Sequence, residues 1–147
     1  MAVLDLDSAG DERLGPYRDL KGRSEFGAEH FIVEGEHLVG RLLSSALEVV
    51  SVLVSSRKID RVRPLLPASV PVFVLDDDEI ENVVGFKFHR GVLGCGKRPE
   101  ELGFDQLLGS GRPALKAVAC PEITDSENLG SIMRTARCLG LTALILG

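Results

Sequence analysis

The sequence lacks the cysteine patterns on which small extracellular domains and zinc sites depend. Its three cysteines, Cys95, Cys120 and Cys138, are an odd number at wide spacing, so they provide neither a CxxC pair nor a disulfide framework. The three histidines are too scattered to complete a metal centre, and no metal site is predicted. This cysteine usage is typical of a protein kept in a reducing cytoplasm.

Long apolar segments and a basic overall charge are also missing. No apolar run approaches the ~20 residues of a transmembrane helix, and the N-terminus is acidic where a targeting peptide would be basic. The net charge of -5 argues against a protein that coats nucleic acid through bulk charge, because that mode neutralises phosphates with lysine and arginine. We therefore expect no membrane partner, and any RNA contact must be local.

The chain has an ordinary globular composition, with 44% hydrophobic and 27% charged residues among 147. Residues 1–30 are predicted to be an N-terminal extension that is frayed over residues 1–10 and helical near residues 11–20. From residue 31, valine-rich strands alternate with helical segments, which is typical of βαβ units. Residues 31–108 are therefore predicted to form a small α/β sandwich, a sheet covered on both faces.

Glycine, serine and proline cluster at residues 109–113, where the apolar pattern lapses, and this segment is predicted to be a linker. Beyond it, ALKAVACPEI is predicted to be a strand, ENLGSIMRTARCLG a helix and LTALILG another strand. Residues 114–147 thus begin a second α/β unit, shorter than the ~40 residues that an unaided domain needs. We expect the chain to be part of a longer enzyme, or to have a partner that supplies the rest.

The helix in this second unit carries the clearest functional signal. Thr124 or Asp125 can cap its N-terminus, and Glu127 would complete a capping box with Thr124. Gly130 costs a helix about 1 kcal/mol relative to alanine, so its presence needs a reason, and the close approach of a ligand would supply one. Apolar residues recur at helical spacing and are predicted to face the sheet: Leu129, Ile132, Met133, Ala136 and Leu139.

Three segments resemble, in order along the chain, the motifs of one enzyme family. Asn128, Gly130 and Arg134 lie in NLGSIMRTA, which resembles N-x-G-x-x-x-R-T-A, the first motif of the SpoU branch of the SPOUT methyltransferases. FIVEG at residues 31–35 is similar to the segment that opens the substrate-binding domain of that family, and FHRGVL at residues 88–93 is similar to the strand that closes it. The chain therefore resembles an RNA 2′-O-ribose methyltransferase over nearly its whole length.

This resemblance implies an architecture, a substrate and a cofactor. Residues 31–108 would be an RNA-binding domain similar to certain ribosomal proteins, and residues 114–147 would be the first β-α-β of a knotted domain that usually dimerises. The enzyme would use S-adenosylmethionine to methylate ribosomal or transfer RNA. The two motifs that hold the cofactor in this family should follow residue 147, so no cofactor-binding residue is assigned. These 147 residues alone are expected to bind the cofactor weakly or not at all.

The resemblance also implies the catalytic residues. Arg134 would position or activate the ribose 2′-hydroxyl, Asn128 would shape the same pocket, and Gly130 is the motif glycine. Because arginine stays protonated in proteins, we expect Arg134 to act electrostatically and by orientation, not as a proton acceptor. The alternative for Arg134 is an ordinary surface salt bridge to Glu127.

A local basic segment at residues 85–98 is the candidate RNA contact, because it holds lysine, arginine and histidine but no acidic residue. Phe86 and Phe88 could provide surfaces on which bases stack. The alternative is that both phenylalanines belong to the core and that the cations line a solvated strand edge. The candidate RNA-binding residues are Lys21, Arg23, Lys87, His89 and Arg90.

Two other charged clusters are predicted to be structural. The basic cluster formed by Arg57, Lys58, Arg61 and Arg63 is predicted to be a solvated helix face. The acidic run at residues 76–81 lacks the glycine and ligand spacing of a calcium loop, so it is predicted to stabilise a helix N-terminus.

Two other functional classes stay open at this stage. A non-catalytic RNA-binding module would account for the basic segment and for the missing cofactor motifs. A flavodoxin-like nucleotide binder would account for the strand and helix alternation, but no glycine-rich phosphate loop follows any predicted strand.

Overall fold

The computed structural model describes residues 3–6, 8–20, 29–100, 103, 105–106 and 115–147. The chain divides into two compact units, Met1–Pro99 and Glu100–Gly147, which are described separately. The linker predicted at residues 109–113 lies outside the described residues, as do the candidate RNA contacts Lys21 and Arg23.

The first unit is a mixed α/β fold, which confirms the predicted class. Its strands are β1 (Val3–Asp5), β2 (His30–Glu34), β3 (Val49–Ser55), β4 (Val72–Leu75) and β5 (Val92–Lys97). Its α-helices are α1 (Glu36–Leu43), α2 (Ile59–Val62) and α3 (Asp77–Val84), and two 3-10 helices span Glu12–Tyr17 and Arg63–Leu65.

The five strands form one sheet in the order β1-β4-β3-β5-β2. Strands β1 and β3 are both parallel to β4, whereas β5 is antiparallel to its neighbours β3 and β2. The carboxyl ends of β2, β3 and β4 therefore meet the amino end of β5 at one edge of the sheet. We call this the carboxyl edge and define it by Gly35, residues 55–58, residues 76–77, Arg90 and Gly91.

Both faces of the sheet are covered, because side chains alternate between the faces along each strand. On one face Leu53, Phe73 and Leu93 pack with residues of the first 3-10 helix and α3. On the other face Val52 and Val72 pack with residues of α1 and α2.

Helix α3 shows how local signals set an element. Asp76 occupies the N-cap position, three acidic residues fill the first turn, and Gly85 ends the helix in the left-handed conformation with φ of 78°. The prediction that this acidic run stabilises a helix N-terminus is confirmed. Helix α2 has only four residues, because Pro64 interrupts the helical hydrogen bonding and a 3-10 turn follows.

Strand β1 lies within the segment predicted to be frayed, so the prediction for residues 1–10 is wrong for Val3–Asp5. Val3 pairs with Val72 at the edge of the sheet, a contact between distant parts of the sequence that local periodicity does not reveal. The predicted helix near residues 11–20 is a 3-10 helix that contains Pro16. It buries Leu14 and Tyr17 completely, and the Tyr17 hydroxyl is 2.9 Å from Ser51 Oγ.

The second unit contains β6 (Ala117–Cys120), α4 (Ser126–Cys138) and β7 (Ala143–Leu146), with β6 and β7 paired in parallel. Asp125 is the N-cap of α4 and its carboxylate accepts a hydrogen bond of 2.8 Å from the Asn128 N–H. The capping box predicted between Thr124 and Glu127 is therefore wrong. With Asp125 as the cap, the third helical position is Asn128.

The predicted apolar face of α4 is only partly covered. Leu129, Ile132 and Ala136 are half-buried, but Met133 is 53% exposed and Leu139 is 70% exposed. The prediction is wrong for Leu139, which caps the helix just past its last residue. Met133, in contrast, lines a pocket together with Ala143 and Leu144 of β7 and so faces the sheet as predicted. Within the described residues, no helix has both the length and the apolar character needed to cross a bilayer.

Candidate functional site

The motif residues are arranged along the first turns of α4. Arg134 Nη2 donates a hydrogen bond of 3.1 Å to Ser131 Oγ. A Cβ built on Gly130 would lie 3.4 Å from Arg134 Nη1, so the guanidinium folds back over the glycine. This geometry follows from the spacing, because residues three and four apart share a helix face and long helical side chains point toward the N-terminus. Gly130 thus lies beneath the guanidinium of Arg134, at a distance at which an added Cβ would make ordinary van der Waals contact with it.

Arg134 is exposed, and the salt bridge to Glu127 considered as an alternative is not found among the described residues. Asn128 is exposed as well, and the structure describes no hydrogen bond from its side chain to Arg134. The two residues are separated by about 9 Å along the helix axis, and the backward course of the Arg134 side chain shortens that separation. The cluster presents N–H and O–H donors that suit oxygen ligands.

The basic segment of the first unit reaches the carboxyl edge at Arg90 and Gly91, where β5 begins. Lys87, His89 and Arg90 are all exposed, as expected of residues that contact RNA. The Arg90 side chain lies against Gly35, where a built Cβ would be 3.2 Å from Arg90 Cδ. The segments that resemble the opening and the close of the substrate-binding domain are therefore in contact in the folded chain.

The phenylalanines of this segment belong to the core. Phe88 is 5% exposed within the cluster of α3 and the sheet, and Phe86 packs against the same cluster. Phe88 is therefore not available for base stacking, and the alternative in which it is a core residue is confirmed. Along residues 87–90 the aromatic ring points inward and the charged groups point outward.

Sequence reasoning missed one residue at this edge. Lys58 was predicted to belong to a solvated helix face, yet its stem packs on Gly91, where a built Cβ would come within 2.5 Å of Lys58 Cγ. The only sequence signal was Gly91 itself, whose φ of 75° excludes most side chains.

The buried ionisable groups of the first unit are part of its core, away from these exposed cations. Burial raises the pKa of the Cys95 thiol to about 11, and burial also raises the pKa of Tyr17. Neither group is thereby suited to catalysis near neutral pH. In the part of the chain that the structure describes, no group of three or more His, Cys, Asp or Glu side chains could hold a metal ion.

Comparison with known proteins identifies relatives over most of the chain, although no model of a known protein family matches it. An uncharacterized tRNA/rRNA methyltransferase of Mycobacterium tuberculosis is 31% identical over 152 residues, covering 99% of this chain and 51% of the relative. The 23S rRNA (guanosine-2'-O-)-methyltransferase RlmB of Acinetobacter baylyi is 34% identical over 121 residues, covering 76% of this chain and 48% of the relative. The chain spans about half the length of these relatives.

Solved structures show the same fold. An rRNA methyltransferase from Sinorhizobium meliloti superposes with a TM-score of 0.71 at 19% identity, covering 99% of this chain and 55% of that one. The SpoU methyltransferase AviRb from Streptomyces viridochromogenes, in complex with its cofactor AdoMet, gives a TM-score of 0.69 at 20% identity and covers 91% of this chain and 50% of that one. The likeness concerns the mixed α/β architecture.

Proposed function

We infer the function from the family, since the chain is a member of the SpoU-type RNA methyltransferases. We propose that the protein containing this chain methylates the 2′-hydroxyl of a ribose in ribosomal or transfer RNA, with S-adenosylmethionine as the methyl donor. The observation that carries the proposal is the similarity of nearly the whole chain to an RNA methyltransferase, in a sequence that also holds Asn128, Gly130 and Arg134. A non-catalytic RNA-binding module is not favoured, because these relatives are named as methyltransferases.

The two units would divide the work of the enzyme. Residues 31–108 would be the RNA-binding domain with a ribosomal-protein-like fold, and residues 114–147 would begin the knotted methyltransferase domain. That domain would pair two subunits into a homodimer. The exposed apolar side chains of Met133 and Leu139 are consistent with further protein surface packing on α4. An enzyme of ribosomal or transfer RNA would act in the cytoplasm.

Arg134 would serve the reaction through its charge. A ribose hydroxyl is a poor nucleophile until the negative charge that develops on its oxygen is stabilised, and a guanidinium offers several N–H donors for that purpose. The hydrogen bond to Ser131 holds this guanidinium over Gly130, toward the helix N-terminus. Asn128 would orient the ribose from the first turn of the same helix.

S-adenosylmethionine, when bound, supplies the methyl group. The donors of Arg134, Ser131 and Asn128 fit the oxygen atoms of a ribose or a phosphate, and none of these residues is assigned to the cofactor.

The test compares variants of the protein expressed from its complete gene, by transfer of labelled methyl groups to ribosomal and transfer RNA. Arg134→Ala should lower kcat by about 100- to 1000-fold, the range found when one donor to a developing oxyanion is removed. Arg134→Lys keeps the charge but loses the fork of donors, and it should lose at least about tenfold. Arg137→Ala, on the same exposed helix, is the matched control and should stay within about twofold.

Two results would contradict these proposals in different ways. Absence of 2′-O-methylation by the unaltered protein on either class of RNA would overturn the proposed reaction. Normal turnover by Arg134→Lys would leave the reaction standing and would overturn the role given to Arg134.

A further inference from the structure

The cations at and beside the carboxyl edge fall into two groups. Arg57 Nη1 is 3.2 Å from a carboxylate oxygen of Asp77, and Arg61 Nε is 3.0 Å from one of Glu36. These arginines are held by acidic partners within the unit, and the same contacts partly neutralise the acids. Arg57 and Arg61 are therefore less available to an external anion. Their acidic partners, in turn, repel such an anion less strongly than unpaired carboxylates would.

Lys58 and Arg90 form the second group. No salt bridge of either residue is found in the part of the chain that the structure describes. Lys58 is half-buried, because its stem packs on Gly91, and Arg90 is exposed with its stem against Gly35. Their apolar stems are packed, so the charged ends are the parts left for another molecule.

The backbone of the two glycines under these stems is hydrogen-bonded into the sheet. The Gly35 N–H donates a hydrogen bond of 2.9 Å to the Val92 carbonyl, and the Ser55 N–H donates one of 2.9 Å to the Gly91 carbonyl. Both glycines have positive φ, 95° at Gly35 and 75° at Gly91, a conformation that side chains rarely adopt. Glycine thus provides a bare backbone surface on which each stem lies, and a cation already held in place loses less entropy when it binds.

Gly91 directly follows Arg90 in the chain, so the stem of Lys58 and that of Arg90 lie beside the same short stretch of backbone. We propose that Lys58 and Arg90 together form a phosphate-binding site at the carboxyl edge, and that its ligand is the phosphate backbone of RNA. This rests on the proposed function for the choice of RNA. A phosphate contact is favoured over base stacking because Phe88, the nearest aromatic residue in sequence, is buried in the core.

The experiment measures binding of the protein from its complete gene to fluorescently labelled polyuridylate, by anisotropy, over a series of salt concentrations and without S-adenosylmethionine. The variants are Lys58→Gln, Arg90→Gln and the double variant. Arg57→Gln is the matched control, because Arg57 is adjacent in sequence but paired with Asp77. Lys58→Arg keeps the charge and tests whether any loss comes from the charge or from disturbed packing.

The logarithm of the association constant falls linearly with the logarithm of the salt concentration. Each single loss of charge should make this slope less steep by about 0.7, the contribution of one phosphate contact on a single strand. At about 0.1 M salt this corresponds to about fivefold weaker binding, and the double variant should lose about 25-fold. Arg57→Gln and Lys58→Arg should stay within about twofold.

An unchanged salt slope in Lys58→Gln would overturn the proposal. So would an equal loss in Arg57→Gln, which would indicate bulk charge and not a local site. Because the assay needs no methyl donor, it can succeed or fail independently of the methylation assay. A protein that binds polyuridylate through Lys58 but methylates no RNA would overturn only the proposed reaction.

Discussion

Single residues at the carboxyl edge determine how the backbone and the cations meet. Gly91 has a positive φ and lies under the stem of Lys58, while Gly40 in α1 has no atom within 4 Å of a built Cβ. The two glycines are therefore in opposite situations, although both belong to the first unit. Glycine is required at position 91 by the backbone conformation and by the contact with Lys58, whereas Gly40 only lowers the stability of its helix.

Gly91→Ala should destabilise the first unit by about 1–2 kcal/mol, because an L residue in the left-handed region meets its own backbone and Cβ would also meet Lys58. Gly40→Ala is the control and should raise stability by up to about 1 kcal/mol through helix propensity. Urea unfolding of the 147-residue chain can be followed by Tyr17, its single tyrosine, since the chain has no tryptophan. Equal midpoints for the two variants would contradict this account.

The three cysteines should differ in reactivity according to their exposure. Cys138 is exposed, Cys120 is half-buried, and Cys95 is buried with its pKa raised to about 11 by burial. Because the thiolate is the reactive form, iodoacetamide at neutral pH should modify Cys138 first and Cys95 only after unfolding in urea. Peptide mapping by mass spectrometry distinguishes the sites. Early modification of Cys95 in the folded chain would show that its burial is wrong.

Among the elements, α4 depends on its N-terminal cap. The Asp125 carboxylate accepts the Asn128 N–H, and the Asp125 carbonyl accepts the Leu129 N–H at 3.0 Å. The cap thus orders the turn that carries Asn128 and that leads to Gly130. A helix whose first turn frays would lose the geometry on which the proposed site depends.

Asp125→Ala should weaken the first turn of α4 by about 1 kcal/mol, because the side-chain acceptor is lost while the helix sequence is kept. Hydrogen exchange of the Asn128 and Leu129 amides should accelerate about fivefold, which is the same free energy expressed as a ratio. Thr124→Ala removes the neighbouring residue that does not cap the helix, and exchange there should change by less than about twofold. Faster exchange in Thr124→Ala than in Asp125→Ala would show that Thr124, and not Asp125, caps the helix.

At the scale of the whole first unit, a buried contact ties the N-terminal segment to the sheet. Tyr17 is completely buried and its hydroxyl bonds Ser51 on β3, so the first 3-10 helix is part of the core. Burial raises the pKa of Tyr17 above its ordinary value of 10.0. The ionised phenol is therefore less stable in the folded state than in the unfolded state, so ionisation of Tyr17 favours unfolding.

The stability of this unit should depend on Tyr17 at alkaline pH. Below about pH 10 the phenol is protonated in both states, so its full contribution is present; above that pH the unfolded chain ionises first and the contribution is lost. Melting temperatures between neutral pH and about pH 11 should fall more steeply for the unaltered chain than for Tyr17→Phe. At neutral pH the variant should lose about 1 kcal/mol, because Ser51 loses its partner. Parallel pH curves would contradict the assignment.

Local patterns in the sequence determined the elements whose causes are local. The acidic first turn and following glycine of α3, the valine-rich strands and the spacing of Gly130 and Arg134 all depend on residues within a turn or two of one another. The mixed α/β class and the family resemblance came from such patterns. Asp125 was one of two predicted caps, and only the helix start decided between them.

Only the tertiary structure decided the features that join distant parts of the chain. It placed β1 beside β4 and inserted β5 between β2 and β3, pairings whose partners lie far apart in sequence. It also decided which cations are available, because Arg61 is paired with Glu36 from another helix whereas the stem of Lys58 lies on Gly91. Composition gives the number of charges, but neutralisation depends on which groups folding brings within a few ångströms of each other.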